Sequence, residues 1–235
     1  MTDLTNIKLY ATQPHACSYL PGEEATSIFV DPNQTITPEL YSALSERGFR
    51  RSGKHIYSPH CHTCSACIPA RIPVQVFRQN RRQRKCWNRN QDLTVSIVRS
   101  IDSPEHYQLY ARYIAARHSD GDMFPPSEEQ YSGFLTSEWG VTAYLEFRHQ
   151  QRLIAVAVAD RMNDGYSAVY TFYDPDEEKR SLGMFAILWQ IAMTAEEHLS
   201  HVYLGYWIKQ CQKMRYKSEY RPLELLIDHR WLRMN

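Results

Sequence analysis

The chain has 235 residues, 43% of them aliphatic or aromatic, which suits one large folded domain or two small ones and excludes a disordered chain. Its net charge is +1, yet the eleven Lys and Arg from Arg47 to Gln91 have no Asp or Glu among them, so the remaining residues carry about ten excess negative charges. No apolar run approaches a bilayer span, and residues 1–8 lack the charged start and apolar core of a signal peptide, so a soluble, cytoplasmic protein with no membrane partner is expected. In that compartment the six cysteines are expected to be thiols or metal ligands rather than disulfides.

Residues 1–100 read as a small irregular, cysteine-containing domain. A short strand is predicted over Ser27–Asp31, then a helix over Glu39–Arg47 capped by Thr37 and ended by Gly48. Ile68–Phe77 is expected to be extended, because its two prolines forbid a helix. Asn80–Asn90 is predicted to be a basic helix with Cys86 and Trp87 turned inward, and Thr94–Arg99 a further strand. From about residue 101 the texture becomes regular. Helices are predicted over Pro104–Arg117, with Ser103 as N-cap, and over Ser127–Leu135. Strands follow at Val141–Arg148, Arg152–Met162 and Tyr166–Tyr173, the last two joined by the hairpin signal Asn163-Asp164-Gly165. A long helix over Ser181–Leu199, a strand at His201–Leu204, a short helix over Ile208–Met214 and a strand at Glu224–Asp228 complete residues 101–235. The expected class is α+β with a mixed, mostly antiparallel sheet, and the order of elements suits the GNAT acyltransferase fold.

Cys61-x2-Cys64-x2-Cys67 lies on an irregular segment, a spacing that turns thiolates toward one point. Cys17 is the first choice of fourth ligand, with Cys86, His60, His62 and His15 as competitors. A ferredoxin run is excluded because Arg71 stands where its last cysteine is needed. Three readings stay open: a zinc or iron–sulfur brace, a redox-sensing cluster, or reduced thiols without metal. The basic helix carries Arg78, Arg81, Arg82, Lys85 and Arg89 on one face, with no acidic partner four residues away, and such a stripe suits phosphates. Tyr57, Phe77 and Trp87 nearby favour stacking on unpaired RNA ends over duplex DNA.

GNAT enzymes seat the coenzyme A pyrophosphate on a glycine-rich loop at a helix N-terminus. Arg180-Ser-Leu-Gly183 keeps part of that loop, but Phe185 stands where a small residue belongs, which points to another acyl donor. The stretches His15–Gly22, Gly48–Gly53, Cys61–Val74, Asn80–Asp92 and Arg117–Met123 resemble the N-terminal part of the arginyl-tRNA–protein transferase family. Ser167–Pro175, Arg180–Gly183, Tyr203–Ile208 and Lys213–Lys217 resemble its C-terminal part. Cys17-Ser-Tyr-Leu20 lacks the second cysteine of the eukaryotic pattern, so the similarity is to the bacterial aspartate/glutamate leucyltransferase branch.

That resemblance implies transfer of leucine from leucyl-tRNA to proteins beginning with Asp or Glu, which marks them for N-degron degradation, with no cofactor required. An arginyl donor, an acetyl-CoA N-acyltransferase and a non-enzymatic RNA-binding protein are the alternatives. The reaction needs a phosphate track, an acyl pocket, a carboxylate clamp and oxyanion donors. Arg81, Arg82 and Lys85 are expected to form the track. Tyr170, Phe172 and Leu204 are candidates for the acyl pocket, and Arg117, Arg161, Arg180, Lys213, Arg215 and Lys217 for the clamps. Tyr170, Tyr173, Tyr203 and Tyr206 are candidate donors to the oxyanion. Asp120, with His118 and Asp122, is the candidate base.

Overall fold

A computed structural model describes Leu4 and residues 6–234. In chain order the elements are β1 (Leu9–Ala11), β2 (His15–Ala16), β3 (Glu24–Ala25), β4 (Ser27–Val30), α1 (Pro38–Glu46), β5 (Arg50–Ser52), β6 (His55–Pro59), β7 (Ile68–Pro73), α2 (Arg81–Arg89) and β8 (Leu93–Val98). There follow α3 (Pro104–Arg117), α4 (Glu128–Leu135), β9 (Thr142–His149), β10 (Arg152–Arg161), β11 (Gly165–Tyr173), α5 (Leu182–Glu196), β12 (His201–Trp207), β13 (Leu223–Ile227) and β14 (Arg230–Met234). Short 3₁₀ segments at Pro175–Arg180 and Gln212–Glu219 connect β11 to α5 and β12 to β13.

The large sheet has eight strands in the order β14-β13-β7-β12-β11-β10-β9-β8. All of its pairings are antiparallel except β11 with β12. The class is therefore mixed helix and sheet with a mostly antiparallel sheet. Strands β7 and β8 both come from the first hundred residues, so the expected division at residue 100 is not a division of this sheet. A four-stranded sheet, β1-β4-β6-β5, and the β2-β3 pair complete the N-terminal part.

Local chemistry explains most helix ends. Thr37 caps α1 by accepting from the Leu40 amide, and Asn80 and Gln83 close a reciprocal capping box at α2. Ser103 departs from the expected cap. Its hydroxyl lies 2.6 Å from His106 Nδ1, and His106 Nε2 reaches Glu146 Oε1 at 2.6 Å, so a buried polar chain replaces the cap bond. The helix predicted over Ile208–Met214 is shifted and tightened into the 3₁₀ segment at 212–219, and β12 continues three residues past the expected end to Trp207.

One face of the large sheet is covered by α5 and α2, with Phe147, Phe185, Leu188, Ile191 and Leu204 buried between them. Complete burial of each such side chain contributes roughly 1.5–3 kcal/mol. The other face is shared. Helices α3 and α4 cover it through Tyr110, Ile114, Leu135 and Phe172, and α1 with the small sheet covers it through Tyr41, Leu44, Val141, Met162 and Tyr203.

The junction of the N-terminal part with the large sheet centres on one ion pair. Arg51 on β5 and Asp160 on β10 are both fully buried, joined by Nε to Oδ2 at 2.5 Å and Nη2 to Oδ1 at 2.9 Å. Asp160 also accepts from Tyr41 of α1 and Thr142 of β9, each at 2.8 Å. The guanidinium in turn donates to the carbonyls of Phe134, Leu135 and Thr136, which closes the C-terminus of α4. Removing one partner strands the other charge in the interior. Asp160→Ala is therefore expected to cost about 3–5 kcal/mol in urea unfolding, and a cost under about 1 kcal/mol would show that the pair does not hold this junction.

Candidate active-site cleft

Strands β11 and β12 pair over only three positions, Gly165 with His201, Tyr166 with Val202 and Ser167 with Tyr203, although both strands continue. Beyond Ser167 they part. Residues 165–167 are buried, whereas Ala168 to Thr171 are half-exposed even though β11 is an interior strand. Two irregularities flank the split. On the β10 side, Val158 faces Tyr170 and Ala159 faces Ala168, which leaves Val169 as a bulge. On the β7 side, the register shifts between Tyr203 and Gly205, where Gly205 takes φ +77°.

Arg50 occupies the fork. Its Nη1 donates to Ser167 Oγ at 2.7 Å and its Nη2 to the Ala168 carbonyl at 2.8 Å, replacing ladder bonds that β12 no longer supplies. A Cβ at Gly205 would stand 3.3 Å from Arg50 Nε, so the glycine serves both the positive φ and the close approach. Arg50 and Arg51 are neighbours on one short strand, so the two-residue period sends one to the cleft and the other to Asp160.

Aromatic rings line the β11 side. Tyr170 packs against Phe134 at 5.2 Å and Tyr113 at 6.3 Å between ring centroids, and Tyr113 against Tyr173 at 4.8 Å and His118 at 5.4 Å. The Tyr170 hydroxyl is buried without a hydrogen-bond partner. Burial, reinforced by the Tyr113, Tyr110 and Tyr173 hydroxyls, holds its pKa well above the ordinary tyrosine value, so it remains a neutral donor. The segment 212–219 spans the opening. Lys213 lies 3.6 Å from Asp120 in the loop after α3, while Lys217, 7% exposed, donates from Nζ to the Tyr206 carbonyl. Burial and the neighbouring Arg50 charge push Lys217 down to about 7. Burial and Lys213 likewise lower His118.

Tyr170, Lys213, Lys217, Asp120 and His118 are thus brought to one region. Asp120 and Lys213 are exposed there, and their pair contributes little to stability. The other candidates are held elsewhere. Tyr203 donates to Asp164 at 3.0 Å and accepts from Arg71 at 3.0 Å, so its hydroxyl is committed outside the cleft. Tyr206 donates to the Gly48 carbonyl at 2.8 Å. Phe172 is fully buried against Tyr110 and Tyr131 and Leu204 packs in the core cluster that includes α5, so neither lines the cleft. Arg180 forks onto Asp92 at 2.8 and 2.9 Å and reaches Glu177 at 3.0 Å. Arg117 is paired with Glu178 at 2.9 Å and Arg161 with Glu197 at 3.2 Å.

The N-terminus of α5 is unsuited to a coenzyme pyrophosphate. Phe185 fills its interior against Trp87 and Phe147, and the Arg180 that precedes it is already engaged by Asp92 and Glu177. On α2, Arg81 and Lys85 are exposed and in no ion pair among the described residues, whereas Arg82 pairs with Glu219 at 3.0 Å. Gln83 also donates to the Glu219 carbonyl, which ties α2 to the end of the segment that spans the cleft.

Cys17, Cys61, Cys64 and Cys67 converge on a cavity of about 210 Å³ lined also by Tyr57, Tyr206 and Ile208. Burial, followed by the other thiols, pushes Cys67 up to about 12. Among the described residues, no three His, Cys, Asp or Glu stand where they could share one metal ion, so the thiols do not form a ready ligand set as placed. Cys86 is apart from them, buried with its sulfur 3.5 Å from the Ser181 carbonyl.

Sequence reasoning missed Arg50, Gly205 and Tyr113. A lone glycine in the apolar run Val202–Ile208 was the available signal, since such a glycine marks a bulge or a close backbone approach.

Two family models match the chain: "Arginine-tRNA-protein transferase, C terminus" over residues 105–227 and "Arginine-tRNA-protein transferase, N terminus" over residues 15–85. The chain belongs to the arginine-tRNA–protein transferase family. Among its relatives, the aspartate/glutamate leucyltransferase of Saccharophagus degradans is 57% identical over 233 residues, 99% of both chains, and that of Pseudomonas entomophila is 57% identical over the whole of both. A solved structure, L-PGS from Bacillus licheniformis, shares 12% identity at a TM-score of 0.47, covering 60% of this chain and 45% of that one.

Gly205→Ala is expected to lower stability by roughly 1–3 kcal/mol, because the left-handed backbone and Arg50 both oppose a Cβ. Urea unfolding midpoints measure this, and an unchanged midpoint would mean the split tolerates a side chain at this point.

Proposed function

We propose that this chain is an aminoacyl-tRNA–protein transferase that moves leucine from leucyl-tRNA to the N-terminus of proteins beginning with Asp or Glu, as a step toward N-degron degradation. The names of its full-length relatives support this reaction. The single observation that carries the reading is the character of the cleft. Its walls are aromatic, and the charged side chains at its fork are Arg50 and Lys217. An apolar leucyl group fits such a wall, whereas an arginyl group would bring a third cation to the fork with no carboxylate in ion-pair range of the first two among the described residues.

The protein acts as a GNAT-like scaffold adapted to a different donor. The acyl group lies in the gap between the parted strands, and the phosphates of the donor are held outside it. Exposed Arg81 and Lys85 on α2, then Arg215 and Lys213 on the adjoining segment, form a cationic path toward the opening. The partner is the end of a tRNA rather than duplex DNA. Among the described residues, no helix is long and apolar enough to cross a membrane.

The attacking group is the α-amine of the acceptor, whose ordinary pKa of about 7.7–8.0 leaves a useful neutral fraction near pH 7. A bond forms between that nitrogen and the ester carbonyl carbon. The ester C–O bond then breaks, and the proton lost by nitrogen ends on the departing ribose oxygen. The buried Tyr170 hydroxyl has no hydrogen-bond partner in the unliganded protein, which makes it the candidate donor to the developing oxyanion once substrate enters. The ester is itself activated, so no covalent enzyme intermediate and no metal step is needed.

Incubation with leucyl-tRNA and an Asp-first reporter peptide is expected to add the mass of one leucine, read by mass spectrometry. Addition with arginyl-tRNA alone would overturn the donor assignment. Tyr170→Phe is expected to preserve the melting temperature, because the hydroxyl has no partner to lose, while lowering kcat at least about tenfold. Charge reversal at Arg81 and Lys85 is expected to weaken tRNA binding and flatten its salt dependence with the fold unchanged. Undiminished binding would place the tRNA on another surface.

A further inference from the structure

The arginines that turn inward in this protein have carboxylate partners. Arg51 has Asp160, Arg71 has Glu224, and Arg180 has Asp92 and Glu177. Arg50 and Lys217 are different. Neither forms an ion pair with any described residue, although Lys217 is 7% exposed and Arg50 is half-buried. They converge on adjacent residues of β12, Arg50 lying against Gly205 and Lys217 donating to the Tyr206 carbonyl. The groups around Lys217 are the Tyr216 ring at 5.9 Å, the thiols of Cys67 and Cys211, and Arg50 itself. A buried amine beside a half-buried guanidinium, with no carboxylate near either, is an arrangement that an anionic ligand would favour.

We infer that Arg50 and Lys217 form the subsite that receives the side-chain carboxylate of the acceptor's first residue. This rests on the proposed transferase reading and assigns its acceptor selectivity. Selection by charge needs a buried site, because an acceptor lacking the carboxylate then leaves both cations unpaired, a penalty that water would erase at the surface. The tRNA phosphates are already served by exposed cations on α2 and the segment 212–219, where solvent screening makes any one contact dispensable. The position also fits. Arg50 bonds to Ala168 at the root of the split, two residues from Tyr170, so a carboxylate held there places the acceptor's backbone amine beside the space for the ester.

Lys217→Met tests this directly, because it removes a buried amine that has no carboxylate partner and keeps the length of the side chain. Its melting temperature is expected to equal or exceed that of the wild type. Steady-state transfer is measured with peptides beginning with Asp, Glu, Asn and Gln at saturating leucyl-tRNA, and with leucyl-tRNA varied at fixed peptide. The expected result is a KM for the Asp peptide raised at least about tenfold, an Asp-over-Asn preference reduced by a similar factor, and an unchanged KM for leucyl-tRNA. A preference left intact would overturn the assignment. So would a raised KM for leucyl-tRNA with the peptide KM unchanged, which would make the pair a phosphate site. Calorimetry of an Asp-first tetrapeptide with the protein free of tRNA separates this inference from the reaction. Binding by wild type that weakens at least tenfold in Lys217→Met upholds the subsite even if no leucine is transferred, and no preference of wild type for the Asp over the Asn peptide overturns it.

Discussion

The buried pair of Arg51 with Asp160 is the constraint on which the rest of this structure depends. It joins a three-residue strand of the small sheet to β10 in the large one, and the same charges bind Tyr41 of α1, Thr142 of β9 and the closing carbonyls of α4. Ion pairs this deep add little net stability compared with an apolar core of equal volume. Their effect is to fix geometry, since half a network is much worse than a whole one. Five elements, two from residues 38–52 and three from residues 128–161, are thereby held together.

The consequence for the cleft is direct. With Arg51 anchored, its neighbour Arg50 must point the opposite way, and it reaches the root of the split between β11 and β12. An eight-stranded sheet does not lose its central ladder without compensation, because each unpaired backbone group must find another partner. Arg50 supplies part of that compensation, and the bulge at Val169 and the left-handed Gly205 absorb the change of register. The split in the middle of the sheet is thus braced from the N-terminal part of the chain. The acid-free stretch that carries the exposed cations of α2 also carries Arg50, the residue that braces the split.

Much of the regular structure was legible in the sequence. The cap at Thr37, the basic helix near Asn80–Asn90, the hairpin at Asn163–Gly165 and the three strands that follow α4 are set by local rules and appear close to their expected bounds. The small sheet beyond β4 and the β2-β3 pair were not legible, because strands of two to five residues have no readable period. The charge pattern was read only in part. The run from Arg47 to Gln91 looked like a single polyanion footprint because acidic partners were sought nearby. In the fold, Arg51, Arg71 and Arg82 find Asp160, Glu224 and Glu219, each more than a hundred residues away. Phe172 and Tyr203 failed as site candidates for a related reason. Alternation shows that strand residues point to opposite faces, but not which face holds the core. Arg50 was missed because nothing local separates a wedge from a surface cation.

The central claim is that the leucyl group of the donor sits between the parted strands β11 and β12. Leucyl-tRNA charged with a photoreactive diazirine analogue of leucine tests it most directly, with crosslinked peptides identified by mass spectrometry. The account predicts labelling within residues 168–171 of β11 and on Tyr113 or the segment 212–219, suppressed by excess unlabelled leucyl-tRNA. Labelling confined to the cavity of Cys17, Cys61, Cys64 and Cys67, or to the N-terminus of α5, would contradict it.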